Sequence, residues 1–184
     1  MTRNAAINRR LFVAASGLLT AACSPLGLMN AVSPRDRSAR RIARDLNYGP
    51  HPRQKFDLYA PATGEGWPVV VFFHGGGWDS GDRGLYGWVA QALAAQGFLV
   101  AVPSYRLVPE VLFPDFVDDA ATATASVREI ATVYGGDPGR LAVAGHSAGA
   151  YLAMMITLDA RYMTRLGAQD AIQAAAGLSG PYEF

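Results

Sequence analysis

An α/β architecture, with a mostly parallel sheet and helices on both faces, is predicted by three features of this chain. Apolar runs of strand length alternate with longer helical patterns between residues 69 and 179. Glycines punctuate them, at 75–77, 97, 135–136, 145 and 149. The 184 residues are 51% hydrophobic with a formal net charge of +1, enough apolar material for one core.

The elements follow in order. Gln54–Tyr59 alternates polar and apolar residues, as an antiparallel edge strand does. Pro61–Pro68 is a turn-rich connection. Val69–Phe73 is continuously apolar, β-branched and aromatic, the pattern of a central parallel strand. Leu85–Ala95 reads as a helix stopped by Gly97, and Phe98–Pro103 as the next strand. Phe116–Tyr134 reads as a helix ended by Gly135 and Gly136, after which Asp137-Pro138 turns into the apolar strand Arg140–Ala144. Asp118 and Asp119 open that helix, as caps or structural partners. Ala150–Leu158 is a further helix, Gln173–Ser179 a further strand, and Gly180–Phe184 the loop leaving it. Such alternation implies right-handed crossovers.

Gly145-His146-Ser147-Ala148-Gly149 lies between a strand and a helix. A serine on so tight a turn has a strained backbone and presents its Oγ at the helix N-terminus, with small residues required at 145 and 149 where the elements nearly touch. The pentapeptide alone is a weak signal, and its strand and helix context makes it evidence for a nucleophile. Val69–Phe73 runs into His74-Gly75-Gly76-Gly77-Trp78, and consecutive glycines let bare N–H groups approach a bound carbonyl. Acyl transfer needs such donors at the developing oxyanion, and a second donor is the amide after the nucleophile, here Ala148. Both motifs fall at carboxyl ends of strands, where open α/β sheets bind ligands. Trp78, Tyr105 and Tyr151 are either pocket wall or core.

With these segments in hand, the chain resembles the esterase/lipase branch of the α/β-hydrolases that carries an HGGG motif. The likeness rests on His74–Asp82, Ser104–Glu110, Phe113–Asp119 and Gly135–Arg140, and covers roughly residues 54 to 184. Trp78 and the Gly-Gly-Asp-Pro lead-in are also similar to feruloyl-esterase-like and kynurenine-formamidase-like members. The resemblance implies a carboxylesterase-type serine hydrolase without cofactor or metal. It implies that Gly76 and Gly77, with Ala148, donate to the oxyanion, that Gly75 shapes the turn, and that His74 braces the loop.

In this fold the order is serine, acid, then histidine. After Ser147 the acidic residues are Asp159, Asp170 and Glu183, and no histidine follows His146. His146 is turned away from Ser147 Oγ, His74 belongs to the glycine loop, and His51 lies in the lead-in Gly49-Pro-His-Pro52. The expectation is the N-terminal part of a hydrolase (51–184), its C-terminal strands missing and the fragment inactive. The ester reading stands beside two others, an arylformamidase or other amide hydrolase, and a non-catalytic α/β-hydrolase-like lipoprotein. A small-molecule ester is the expected partner. The near-balance of 16 Lys+Arg against 15 Asp+Glu gives no electrostatic case for nucleic acid.

Residues 1–22 have the form of a signal peptide, with Arg3, Arg9 and Arg10 before an apolar Leu11–Leu19 too short to span a membrane. Asn8–Val13 resembles a twin-arginine export signal. The single cysteine, Cys23, follows Leu19-Thr-Ala-Ala22 in a context that resembles a lipobox, so lipid anchoring through Cys23 is expected, with a periplasmic or membrane-anchored product. Residues 23–50, with Arg35, Arg37, Arg40, Arg41 and Arg44, read as a solvated tether.

Overall fold

A computed structural model describes residues 25–33 and 36–182. The chain divides into two compact units after Pro34. The first contributes helix α1 (Pro25–Val32), so part of the expected tether is helical. The signal sequence and Cys23 lie outside the described residues. No helix among the described residues is long and apolar enough to cross a membrane.

The second unit is built on six strands, β1 (Ala39–Asn47), β2 (Lys55–Pro61), β3 (Trp67–Phe73), β4 (Leu99–Pro103), β5 (Gly136–His146) and β6 (Ile172–Leu178). Their order across the sheet is β1-β2-β4-β3-β5-β6. β3 runs parallel to both β4 and β5, β5 runs parallel to β6, and β1 and β2 are antiparallel additions at one side. Helices α2 (Gly87–Ala95), α3 (Asp115–Ile130), α4 (Ala148–Leu158) and α5 (Ala160–Thr164) complete it. Alternation along β3 separates two faces. Val69, Val71 and Phe73 join the main core with Val117 and Ala121 of α3 and Leu152 and Ile156 of α4, while α2 packs on β1, β2 and β4.

Two sequence expectations change. Residues 39–47, expected as tether, form the edge strand β1. Consequently β2 is an interior strand with Phe56–Ala60 all buried, rather than an alternating edge. Asp57, which is 4% exposed on β2, helps hold the added strand. Its carboxylate accepts from Arg41 Nη1 at 3.2 Å, the Asp45 amide at 3.0 Å and Arg83 Nε at 3.1 Å, and Arg83 also pairs with Asp45. A buried carboxylate needs such partners, and it recruits Arg41, which the sequence alone presents as part of a solvated tether.

Element ends also shift. The helix expected from residue 85 begins as a 3₁₀ turn, Arg83–Tyr86, capped by the Asp82 carboxylate on the Gly84 amide. α3 spans Asp115–Ile130, and its expected tail is a second 3₁₀ turn, Ala131–Tyr134, stopped by Gly135 at φ 79°. Asp119 is no cap. It is 2% exposed, takes Arg106 in a bidentate pair and accepts from Gln54 Nε2 at 2.8 Å.

Candidate active site

β3 and β5 end together, with Phe73 opposite Gly145, so His74 and His146 leave the sheet side by side. Ser147 follows at φ 52° and ψ −120°, a conformation a β-branched or bulky residue would strongly resist. Its amide donates to Leu178 O of β6 at 2.9 Å. Its carbonyl accepts from the amides of Ala150 and Tyr151 as α4 begins. The Ser147 side chain makes no capping bond to that helix, so its hydroxyl is not used to cap α4. Ala148, 1% exposed, is the first helical residue, where an amide has no intrahelical acceptor. The crossing is so close that a side chain on Gly149 would strike the carbonyls of Phe73 and His74, and one on Gly145 would strike the Gly149 backbone.

The glycine loop is shaped by its carbonyls. Gly75 O accepts His74 Nδ1–H at 2.8 Å, so the Gly76 amide, antiparallel to that carbonyl across a planar peptide, points away from the imidazole. Gly76 O accepts from the amides of Asp79 (3.2 Å) and Ser80 (3.0 Å) and from Ser80 Oγ (2.7 Å), so the Gly77 amide points away from that turn. Gly76 sits at φ 134°, open to glycine, and a Cβ there would strike Ser80 O. Neither amide donates to another backbone group among the described residues.

Side chains brace this loop. His74 is fully buried and stacks on Tyr105, with ring centroids 4.4 Å apart and planes 12° apart. Its Nε2 has no partner among the described residues, and burial lowers its pKa to about 4. The ring is therefore neutral at pH 7, protonated on Nδ1. Tyr105 Oη donates to His74 O at 2.9 Å, and burial pushes its phenol well above the ordinary range. Arg53 clamps Gly81 O (2.9 Å) and Tyr105 O (2.8 Å). Tyr105 is thus core. Tyr151 is buried and meets Trp78 edge-on at 5.4 Å, while Trp78, partly buried, stacks on Phe116 at 6.0 Å. Trp78 itself has φ 63°.

The structure brings Gly75–Gly77, His74 and the 145–149 turn together at one end of the sheet. It does not bring an imidazole to Ser147. His146 Nδ1 pairs with Tyr86 Oη at 2.9 Å, and His51, in the β1–β2 connection, pairs with Glu110 at 2.7 Å. Tyr86 and Arg53 carry no motif signal, and sequence reading missed both. Among the described residues no group of three His, Cys, Asp or Glu could hold a metal ion.

Similarity to known proteins identifies the family. A family model described as BD-FAE matches residues 56–182. The chain is 34% identical over 152 residues to an isoprenylcysteine alpha-carbonyl methylesterase of Arabidopsis thaliana, covering 79% of this chain and 36% of that protein. It is 43% identical over 105 residues to the carboxylesterase NlhH of Mycobacterium tuberculosis, covering 56% and 33%. Esterase B of Lactobacillus rhamnosis superimposes with a TM-score of 0.75 at 25% identity, over 93% of this chain and 56% of that one. The chain thus spans about a third of the length of such curated relatives. A strand–serine–helix turn beside a glycine loop, on an α/β-hydrolase sheet that the family model covers from β2 to the end of β6, places this chain in the BD-FAE family.

Proposed function

We propose that the protein carrying this chain is a serine carboxylic-ester hydrolase. Ser147 Oγ attacks the ester carbonyl, the alcohol leaves with a proton, and water then releases the acid from the acyl-enzyme. The amides of Gly76, Gly77 and Ala148 hold the oxyanion of each tetrahedral intermediate, Gly75 and His74 keep the loop in shape, and Gly145 and Gly149 permit the turn. The observation that carries this reading is the strained Ser147, with its hydroxyl left out of the helix cap, beside a loop whose carbonyls aim two amides outward. The esterase relatives support it.

A serine hydroxyl needs a general base near neutral pH. The three histidines are otherwise occupied, by burial (His74), by Tyr86 (His146) and by Glu110 (His51). None of the three is therefore placed to serve as that base, and the 184 residues alone are expected to turn over esters negligibly. The test is hydrolysis of a short-chain p-nitrophenyl ester by the full-length protein. Ser147→Ala is expected to lower kcat by about 10⁴-fold or more, and activity that survives the substitution refutes the assignment.

Export and lipid anchoring at Cys23 belong to the same proposal. Cys23→Ala is expected to move the protein from membrane to soluble fractions, and unchanged partitioning rules the anchor out.

A further inference from the structure

Tyr86, at the end of the 3₁₀ turn Arg83–Tyr86, is 2% exposed and sits in neither motif. Its ring lies among Phe72, His74 and His146, with centroid separations of 5.7, 6.3 and 6.0 Å. Its hydroxyl accepts the Gly75 amide at 3.1 Å and lies 2.9 Å from His146 Nδ1. An amide can only donate, so the phenol's single proton stays available to Nδ1, and the bridge inferred here is Oη–H donating to Nδ1 with His146 protonated on Nε2. One buried hydroxyl thereby joins the first glycine of the loop to the side chain immediately before Ser147. Gly75 leaves room for this bridge. A Cβ there would come within 2.9 Å of His146 Nδ1 and 3.1 Å of Tyr86 Oη.

Oxyanion donors work only when held about 2.7–3.1 Å from where the oxygen will be, and the oxygen's place is set by the nucleophile. The donors ride on the loop after β3 and the nucleophile on the turn after β5. The geometry points to Tyr86 as a positioning residue for the proposed reaction. Acting through His146, it sets the spacing between the Gly76–Gly77 amides and Ser147. This inference rests on the serine-hydrolase reading above.

The full-length protein is assayed on the p-nitrophenyl ester as wild type, Tyr86→Phe, His146→Ala, the double variant and Ser147→Ala. The phenylalanine keeps the ring's packing, and a melting curve verifies the fold. Tyr86→Phe is expected to lower kcat by about 10- to 100-fold with KM unchanged, the signature of misplaced groups rather than lost substrate binding. The double variant is expected to be no worse than the more damaged single, because both remove one bridge. Unchanged kcat in Tyr86→Phe, with Ser147→Ala inactive, overturns the bridge, whereas activity in Ser147→Ala overturns the serine reading instead. Imidazole ¹⁵N NMR decides the bridge independently of turnover. An unprotonated His146 Nδ1 whose resonance moves in Tyr86→Phe is expected, and a protonated or unmoved Nδ1 overturns it.

Discussion

The glycine loop after β3 and the serine turn after β5 leave the sheet at the same level, yet they are held by different means. The serine turn is made by its own backbone. Ser147 amide and carbonyl are bonded to β6 and to the start of α4, and Gly145 and Gly149 let strand and helix touch. The glycine loop adds side-chain braces to the backbone turn at Gly76 O. It depends on Tyr105 Oη at His74 O, on Arg53 at Gly81 O, on Tyr86 Oη at the Gly75 amide and on the buried imidazole at Gly75 O. A strand-to-helix turn is tightly constrained by sterics, whereas a run of glycines has maximal backbone freedom and needs side chains to order it as well.

That contrast can be broken or sharpened by substitution. The largest effect is expected at the turn. In Gly149→Ala the new methyl meets the carbonyls of Phe73 and His74, backbone that cannot give way, so urea unfolding is expected to show a loss of more than about 4 kcal/mol. A mild loss would mean that β3 and α4 can part, and the turn would be no stiffer than the loop.

The loop's own weak point is acid. His74 is neutral when folded, with its pKa lowered from 6.5 to about 4 by burial, while the unfolded chain binds a proton near 6.5. Stability from this group is complete above pH 6.5 and is lost as pH falls from there to about 4, by a total of about 3 kcal/mol. Urea midpoints across that window are expected to fall more steeply for wild type than for His74→Phe. Parallel curves would show that the imidazole is not buried in the working loop.

The smallest effect is expected from a single brace. Tyr105→Phe leaves the stack on His74 and removes one hydrogen bond to its carbonyl, at a cost of about 1 kcal/mol in urea unfolding. A cost as large as that of Gly149→Ala would erase the distinction between a loop braced by separate side chains and a turn held by close backbone contact.

What could be read from residue order alone was local. Val69–Phe73 is apolar at every position, and so it is a strand covered on both sides. Small residues at 145 and 149 around Ser147 mark the turn because the steric demand lies within five residues. Gly97 and Gly135, at φ 95° and 79°, end helical segments where their freedom from a Cβ is needed. The strand status of residues 39–47, the interior place of β2, the burial of Tyr105 and the bridge through Tyr86 were decided only by tertiary structure. Each depends on partners far apart in the chain, as Asp57 does with Arg41 and Arg83, or Gly75 with Tyr86 and, through it, His146. Periodicity and propensity report how a segment prefers to fold next to itself. They carry no record of which distant carboxylate, hydroxyl or amide will satisfy a polar group once water has been excluded.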